Sequence, residues 1–243
     1  MSVDRINARN AVVWQVLRRE IDRATATRPT LSVVDVGGGT GGFAVPLARA
    51  GHEVTVVDAS PDALAALNRR AAEAGVDGRV RAVQGDAGAL ADLIEPGSAD
   101  LVLCHSVLEV VDSPSDVAAA LATTLRPGGA ASVLVANRVA AVLARATGGQ
   151  LDLATALLSD PDGRASDRDT LRRRFGVESA TTLLTKAGLV VDEVHGVRVV
   201  ADLVPGGIEE REHEALTAFE LAAAALSPFR DIATLLHLLA RRG

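Results

Sequence analysis

The sequence predicts an α/β fold in which helices cover both faces of a mostly parallel, seven-stranded sheet. Short runs rich in Val, Ile and Leu alternate with helical segments along most of the chain. A run of glycines follows the first of these strands, and Ser60-Pro61 and Ser113-Pro114 supply side-chain caps with proline at the first helical position. Alternating strands and helices form right-handed crossovers, so ligands are expected at the carboxyl ends of the strands.

The elements follow in order from the N-terminus. Val13, Leu17 and Ile21 recur at helical spacing and predict an N-terminal helical segment over 4–23. Helices are also predicted at 43–50, 177–187 and 208–226. The predicted strands lie within 31–36, 52–60, 79–86, 99–107, 128–137, 189–203 and 232–242.

Composition narrows the function classes. The 243 residues, with 48% hydrophobic and 23% charged side chains, predict one domain over 1–243. The single cysteine, Cys104, excludes an internal disulfide and a cysteine-rich zinc site, so no metal is expected and a cytoplasmic location fits. No apolar run is long enough for a membrane span. The net charge of −6 argues against binding nucleic acid over a broad surface, but allows a local basic site.

The segment 138–176 interrupts the alternating pattern. It combines alanine-rich helical stretches with a polar stretch and is predicted to be an insertion that forms a lid over the functional edge. Its arginines predict either a grip on phosphates or an acidic substrate, or a solvated helix face. They are Arg164, Arg168, Arg172, Arg173 and Arg174.

The glycine turn after the first strand fits two cofactor templates. Gly37, Gly39 and Gly42 match the dinucleotide pattern G-x-G-x-x-G, whereas Asp35 with Gly37, Gly39 and Gly41 matches the acidic turn of S-adenosylmethionine-dependent methyltransferases. Asp58, at the end of the second strand, is a carboxylate that can accept both ribose hydroxyls of either cofactor. The turn alone leaves both open.

Three further features favour the methyl donor. Asp35 would repel a pyrophosphate but accommodate an ammonium and a sulfonium. The loop 84–87 offers adenine an acceptor and a backbone amide, and Leu125-Arg126-Pro127-Gly128-Gly129 resembles a signature of class I methyltransferases. S-adenosylmethionine is therefore the predicted cofactor, and the expected fold is the Rossmann-like class I methyltransferase fold.

A closer resemblance extends over nearly the whole chain. The segments NARNAVVWQVL (7–17), CHSVLEVV (104–111), LRPGG and HGVRVVADL (195–203) resemble bacterial tRNA methyltransferases that esterify the carboxylate of 5-carboxymethoxyuridine at position 34. This resemblance implies that Arg9 binds the donor carboxylate, a pairing that guanidinium suits. It also implies that the backbone of Gly37 and Gly38 contacts the methionine part of the donor and that Asp58 holds the ribose. Asp86 and Ala87 would flank the adenine, and Gly39 and His105 are likewise expected to contact the donor.

The expected acceptor is an anion. A carboxylate has no proton to remove at neutral pH, so no catalytic residue is assigned. Arg198, or an arginine of the 138–176 segment, is expected to orient the acceptor. Glu109 is compatible with either a helix start or the substrate site. Where the resembling family has aromatic residues, this chain has Val200-Ala201-Asp202-Leu203, which removes base stacking by that segment.

Several functions therefore stay open at this stage. The predicted partner is a tRNA or a small acidic acceptor. One alternative is a nucleotide-binding oxidoreductase, although this sequence contains no recognisable hydride-transfer motif. The other is a noncatalytic protein that keeps the donor pocket and binds a partner.

Overall fold

A computed structural model describes residues 8–166, 169–204 and 210–243. Within these ranges the chain forms a seven-stranded sheet with the order β3-β2-β1-β4-β5-β7-β6, in which β7 alone runs antiparallel to its neighbours. The predicted fold class, including the number of strands and their mostly parallel arrangement, is confirmed. The strands are β1 (Ser32–Val36), β2 (Glu53–Asp58), β3 (Val80–Gln84), β4 (Ala99–His105), β5 (Leu125–Ala136), β6 (Leu189–Val197) and β7 (Leu235–Arg242).

The described part of the chain contains ten α-helices, of which the first precedes β1 and the other nine lie between strands. They are α1 (Ala11–Thr25), α2 (Ala44–Arg49), α3 (Pro61–Glu73), α4 (Leu90–Leu93), α5 (Pro114–Thr124), α6 (Arg138–Thr147), α7 (Leu151–Ser159), α8 (Val177–Lys186), α9 (Glu210–Ala223) and α10 (Phe229–Ile232). Both predicted serine caps form, since Ser60 Oγ accepts from Ala63 N and Ser113 Oγ accepts from Asp116 N. None of these helices is long and apolar enough to cross a membrane.

Alternate strand residues bury against helices on opposite faces of the sheet. Val34, Val36 and Val102 pack in the cluster with α4, α5 and α8, whereas Val33 and Leu101 pack in the cluster with α1, α2 and α3. Strands buried on both faces explain the nearly continuous apolar runs in the sequence. Burial at this density supplies the main driving force for the fold.

The strand order reverses between β1 and β4. The chain proceeds outward from β1 to β2 and β3, then returns to the other side of β1 with β4. Loops that leave such a point diverge and open a crevice at the carboxyl ends of the strands. The glycine turn follows β1 and the segment 106–113 follows β4, so both border this crevice.

Several predicted boundaries are wrong. The strand predicted over 189–203 ends at Val197, because Arg198 has a φ of 61° and redirects the chain. The strand predicted over 232–242 begins at Leu235, because Ile232 is the last residue of α10 and residues 233 and 234 link that helix to the strand. LRPGG belongs to β5 and does not precede it. The N-terminal helix begins at Ala11 after a single 3₁₀ turn over 8–10; residues 4–7 of that prediction, and residues 208 and 209 of the helix predicted over 208–226, lie outside the described residues.

The segment 138–176 contains the helices α6 and α7, which pack against each other. It leaves the carboxyl end of β5 and returns along the segment after β4, where Arg172 N and Arg173 N donate to the Glu109 carbonyl at 2.9 and 3.3 Å. It therefore borders the carboxyl edge of the sheet. Its role as a lid stays a prediction.

Candidate active site

The glycine turn, residues 37–42, follows β1 and packs against the segment after β4. Gly37 has a φ of 68°, a conformation that residues with a Cβ rarely adopt, and an added Cβ would lie 2.4 Å from Val107 Cγ2. At Gly38 an added Cβ would lie 2.5 Å from Asp35 Oδ2. At both positions a residue with a Cβ would therefore require the neighbouring groups or the turn to shift.

Asp58 connects the end of β2 to this turn. Its Oδ2 accepts a hydrogen bond from Gly39 N at 2.8 Å, and its Oδ1 accepts one from Ser60 N at 2.9 Å. Each carboxylate oxygen has a second lone pair, so Asp58 retains acceptor capacity for two hydroxyl groups. The structure thus brings Asp58 and Gly39 together, while the binding of a ribose by Asp58 stays a prediction.

Asp35 lies beneath the glycine turn and is almost completely buried. Its Oδ2 has no hydrogen-bond partner among the described residues. Burial and, secondarily, the negative charge of Asp58 raise the pKa of Asp35 to about 7. Since a buried carboxyl without a partner is costly, this oxygen marks a place where a cationic or hydrogen-bond-donating ligand would be favoured.

Asp86 and Ala87 follow β3 at the same edge of the sheet. Asp86 Oδ1 accepts from Gly88 N at 2.7 Å and starts a 3₁₀ turn over Ala87–Ala89. Ala87 is buried. The second oxygen of Asp86 keeps its acceptor capacity, which suits a donor such as an adenine amino group.

His105, the last residue of β4, points into a buried polar row. Its Nε2 lies 2.8 Å from Ser132 Oγ, which in turn lies 2.7 Å from His237 Nε2. The serine hydroxyl has one proton, so it donates to one ring and accepts from the other. Burial lowers the pKa of His105 to about 4, and the ring is therefore neutral at physiological pH. The ring also contacts the Phe43 ring edge-on at a centroid distance of 4.7 Å.

Arg9 and Arg198 flank a single carboxylate. The Arg9 guanidinium lies 3.2 Å from Asp202 Oδ1, and the Arg198 guanidinium lies 3.9 Å from Asp202 Oδ2. Two arginines distant in sequence thus meet beside the segment after β6. The Nε of Arg198 is buried and has no acceptor among the described residues, which indicates a position for an additional anion.

The segment after β4 is held by the return of the 138–176 segment. The Arg173 guanidinium donates to the carbonyls of Leu108 and Val111 at 3.0 and 2.5 Å. Glu109 is buried, and its Oε1 accepts from Ala136 N at 3.2 Å, while burial raises its pKa. Glu109 is therefore a buried side chain that joins two strand ends, and its second oxygen has no partner in the described structure.

The arginines of the 138–176 segment bind groups of this chain. Arg174 forms a bidentate pair with Asp169 at 2.6 and 3.0 Å, Arg172 pairs with Asp112, and Arg164 lies 4.0 Å from Asp160. Arg168 lies outside the described residues. Arg173 and Arg174 are neither free to bind a phosphate nor simply solvated, because both guanidinium groups donate to backbone carbonyls of this chain.

Two residues near the site were missed at the sequence level. Ser132 appears as one more small residue in an apolar strand, yet it links two histidines. Glu220 is fully buried and accepts three backbone hydrogen bonds from residues 199–201. A single acid between Phe219 and Leu221, just before a run of alanines, was the available signal for Glu220. Nowhere in the described ranges do three or more His, Cys, Asp or Glu side chains form a group that could hold a metal ion.

A sequence family described as a methyltransferase domain matches residues 34–133, which include the glycine turn, Asp58, the 84–87 loop and His105. The tRNA 5-carboxymethoxyuridine methyltransferase of Escherichia coli (strain K12) is 29% identical over 235 residues, which cover 96% of this chain and 88% of the relative. The chain is a class I S-adenosylmethionine-dependent methyltransferase. The predicted class and cofactor are thus confirmed, and the oxidoreductase and the noncatalytic protein are set aside.

Other similarities agree with this class. The methyltransferase is 32% identical to a ubiquinone biosynthesis O-methyltransferase of Xanthomonas euvesicatoria pv. vesicatoria (strain 85-10) over 167 residues, or 68% of the chain and 65% of the relative. Its fold matches the crystal structure of an S-adenosylmethionine dependent methyltransferase from Mesorhizobium loti with a TM-score of 0.66 at 20% identity, covering 97% of this chain and all of the other.

Proposed function

We propose that this enzyme methylates a carboxylate, and that its acceptor is 5-carboxymethoxyuridine at the wobble position of tRNA. The observation that carries the proposal is the Arg198 guanidinium, whose buried Nε has no acceptor and which faces the same carboxylate as Arg9. The similarity to the tRNA 5-carboxymethoxyuridine methyltransferase over 96% of this chain supports the choice of acceptor. A tRNA acceptor would place the enzyme in the cytoplasm.

The donor site in this proposal consists of the residues at the carboxyl edge of β1 to β4. Arg9 binds the donor carboxylate, the backbone of Gly37, Gly38 and Gly39 contacts the methionine part, and Asp58 binds the ribose hydroxyls. The donor's sulfonium makes its methyl group electrophilic.

The adenine and the histidine contact complete the donor site. Asp86 and Ala87 flank the adenine, and the neutral His105 ring contacts the donor from the end of β4. The Asp35 oxygen without a partner fits a cationic donor, because a carboxylate beneath the turn would repel a pyrophosphate. The close backbone approach at Gly38 suits either cofactor and does not distinguish between them. The buried His105–Ser132 pair fixes the ring orientation at this edge.

The acceptor carboxylate has to be oriented for the reaction, but it does not have to lose a proton. A carboxylate is ionised at neutral pH, so its oxygen is nucleophilic without a general base. Arg198 would hold one edge of the acceptor carboxylate by charge-assisted hydrogen bonds and would leave the other oxygen free to act as the nucleophile. The segment 138–176 closes over the site and excludes water. No side chain of the protein accepts a proton in this scheme.

The residues after Arg198 bear on the choice between tRNA and a small acidic metabolite. Val200, Ala201 and Asp202 provide no aromatic surface for a base, and Asp202 adds a negative charge beside the anion site. A small acidic acceptor is therefore the second candidate. Both candidates use Arg198 in the same role.

The deciding experiment is mass spectrometry of nucleosides from the tRNA of a deletion strain. We expect the methyl ester of 5-carboxymethoxyuridine to disappear and the free acid to accumulate, with both restored by the gene in trans. An unchanged nucleoside profile would contradict the tRNA acceptor and direct the search to acidic metabolites.

The role of Arg198 is tested in vitro with unmethylated tRNA from that strain. Replacement by alanine is expected to raise KM for the tRNA at least tenfold, while the affinity for S-adenosylhomocysteine stays within about twofold, because only the acceptor contact is removed. Arg81→Ala is a matched control, since Arg81 is an exposed arginine on the edge strand β3, away from the crevice. Equal KM values for both variants would contradict the assigned role.

A further inference from the structure

Glu220 is a buried carboxylate outside the residues assigned so far. It lies on α9 with no exposed surface, and it accepts hydrogen bonds from Val199 N, Val200 N and Ala201 N, each at 2.8 Å. Three successive backbone amides thus point at one side chain. Successive N–H groups in a turn form a concave anion site, and here the chain's own carboxylate occupies it.

This arrangement follows directly after Arg198. The positive φ of Arg198 is unfavourable for a residue with a Cβ, so it needs compensating contacts. Charge-assisted hydrogen bonds that Val199, Val200 and Ala201 donate to the Glu220 carboxylate fix the three residues after Arg198. On the other side, Thr234 N donates to the Arg198 carbonyl at 3.2 Å. Gly196 N additionally donates to the Ala224 carbonyl, next to the end of α9, at 2.7 Å. The backbone around Arg198 is therefore fixed on both sides of its turn.

We infer that Glu220 is a positioning residue for acceptor binding, an inference that rests on the proposed function of Arg198. Glu220 is fully buried and does not itself reach a ligand. It holds residues 199–201 in the turn between Arg198 and Asp202. This turn places the Asp202 carboxylate between the guanidinium groups of Arg198 and Arg9. Loss of the carboxylate releases the turn, so Arg198 samples other orientations and the acceptor is held less often in the productive one.

The experiment compares Glu220→Gln, Glu220→Asp, Arg198→Ala and the double variant Arg198→Ala/Glu220→Gln. Glutamine keeps the size of the side chain, but its amino group would face the N–H of Val199 or of Val200 and Ala201. We expect Glu220→Gln to raise KM for unmethylated tRNA at least fivefold, with kcat and the affinity for S-adenosylhomocysteine within about twofold. Glu220→Asp, which keeps the charge, should restore part of the loss.

Two readouts separate positioning from a general loss of stability. Amide hydrogen exchange at Val199, Val200 and Ala201 should accelerate at least tenfold in Glu220→Gln, while amides in the central strands β1 and β4 keep their rates. The double variant should have the same KM as Arg198→Ala, because Glu220 acts through Arg198 and its loss then has no further effect.

The outcomes distinguish the two proposals. If Arg198→Ala raises KM but Glu220→Gln does not, or if the two effects multiply in the double variant, positioning by Glu220 is overturned and the proposed function stands. If Arg198→Ala leaves KM unchanged, the role of Arg198 fails, and positioning for catalysis fails with it. If Glu220→Gln does not fold, Glu220→Asp is measured in the same way and must raise KM with accelerated exchange at the three amides.

Discussion

The Asp202 carboxylate lies 3.2 Å from the Arg9 guanidinium and joins the segment after β6 to the turn that precedes α1. Arg9 is the residue proposed to bind the donor carboxylate. Two carboxylates then compete for one guanidinium, or share it. Asp202 consequently influences donor binding as well as the charge beside Arg198.

Replacing Asp202 by asparagine is expected to increase the affinity for S-adenosylhomocysteine about two- to tenfold, because the competing negative charge is removed. The gain should shrink at high ionic strength, since both groups are partly exposed. Isothermal titration calorimetry measures both effects. Glu214→Gln, which neutralises an exposed acid on α9, serves as the control and should leave the affinity unchanged. A loss of affinity in Asp202→Asn would show that Asp202 orients Arg9 and does not compete with the donor.

Asp35→Asn is expected to remove a pH dependence of stability. The pKa of Asp35 is raised from 3.8 in the unfolded chain to about 7 in the folded protein, so the folded state binds more protons between these values. The free energy of unfolding contributed by this group therefore falls as pH rises from about 4 to about 7, and is constant above. Urea unfolding at pH 5.5, 6.5 and 7.5 should show this slope in the wild type and a smaller slope in Asp35→Asn. Parallel slopes in the two proteins would contradict the raised pKa.

The affinity for S-adenosylhomocysteine should also depend on the ionisation of Asp35, but it should rise over the pH range in which the free energy of unfolding falls. The ammonium group of S-adenosylhomocysteine favours the ionised form of Asp35, so affinity should rise with pH up to about 7, by at most about tenfold per pH unit. The profile should flatten in Asp35→Asn and persist in Asp77→Asn, an exposed acid near β3. Equal profiles in wild type and Asp35→Asn would place Asp35 outside the ligand's electrostatic reach.

Gly38→Ala is expected to reduce the affinity for S-adenosylhomocysteine at least tenfold. The added methyl group would lie 2.5 Å from Asp35 Oδ2 and 2.9 Å from Val56 Cγ1, so the turn must shift away from its present position. Gly42→Ala is the matched control within the same turn, because its Cβ would meet no atom within 4 Å and its φ is not positive. Titration of both variants tests the prediction. Similar affinities for the two would show that the turn does not form the donor site.

Arg173→Ala is expected to lower the free energy of unfolding by about 1–3 kcal/mol, because the carbonyls of Leu108 and Val111 lose their donor. Arg172→Ala removes an exposed ion pair with Asp112 and should change it by less than about 0.5 kcal/mol. Chemical denaturation measures the difference. Equal losses would show that Arg173 does not support the segment after β4. The comparison is informative because the two arginines are adjacent in sequence and differ only in what they contact.

Much of the fold followed from local patterns. The central strands were predicted near their true positions because buried strands form short apolar runs between turn residues, and the serine caps marked the starts of α3 and α5. The boundaries near Arg198 were wrong, because the sequence HGVRVVADL continues the strand-like pattern through a residue whose φ reverses the chain. The three residues after Arg198 donate to Glu220, which lies 22 residues beyond Arg198 in the chain, and no local pattern can show this contact.

The sequence by itself determined the order of the strands, the glycine turn and the carboxylate at the end of β2. It also determined the cofactor class, through Asp35, the 84–87 loop and LRPGG, because each of these features depends on residues close together in the chain. Only the tertiary structure decided which charges meet: Arg9 with Asp202, Arg173 with the carbonyls after β4, and Glu220 with the turn after β6. Such partners come from distant segments that the sheet topology brings to one edge. Their contacts are set by burial and geometry, and the one-dimensional pattern contains neither.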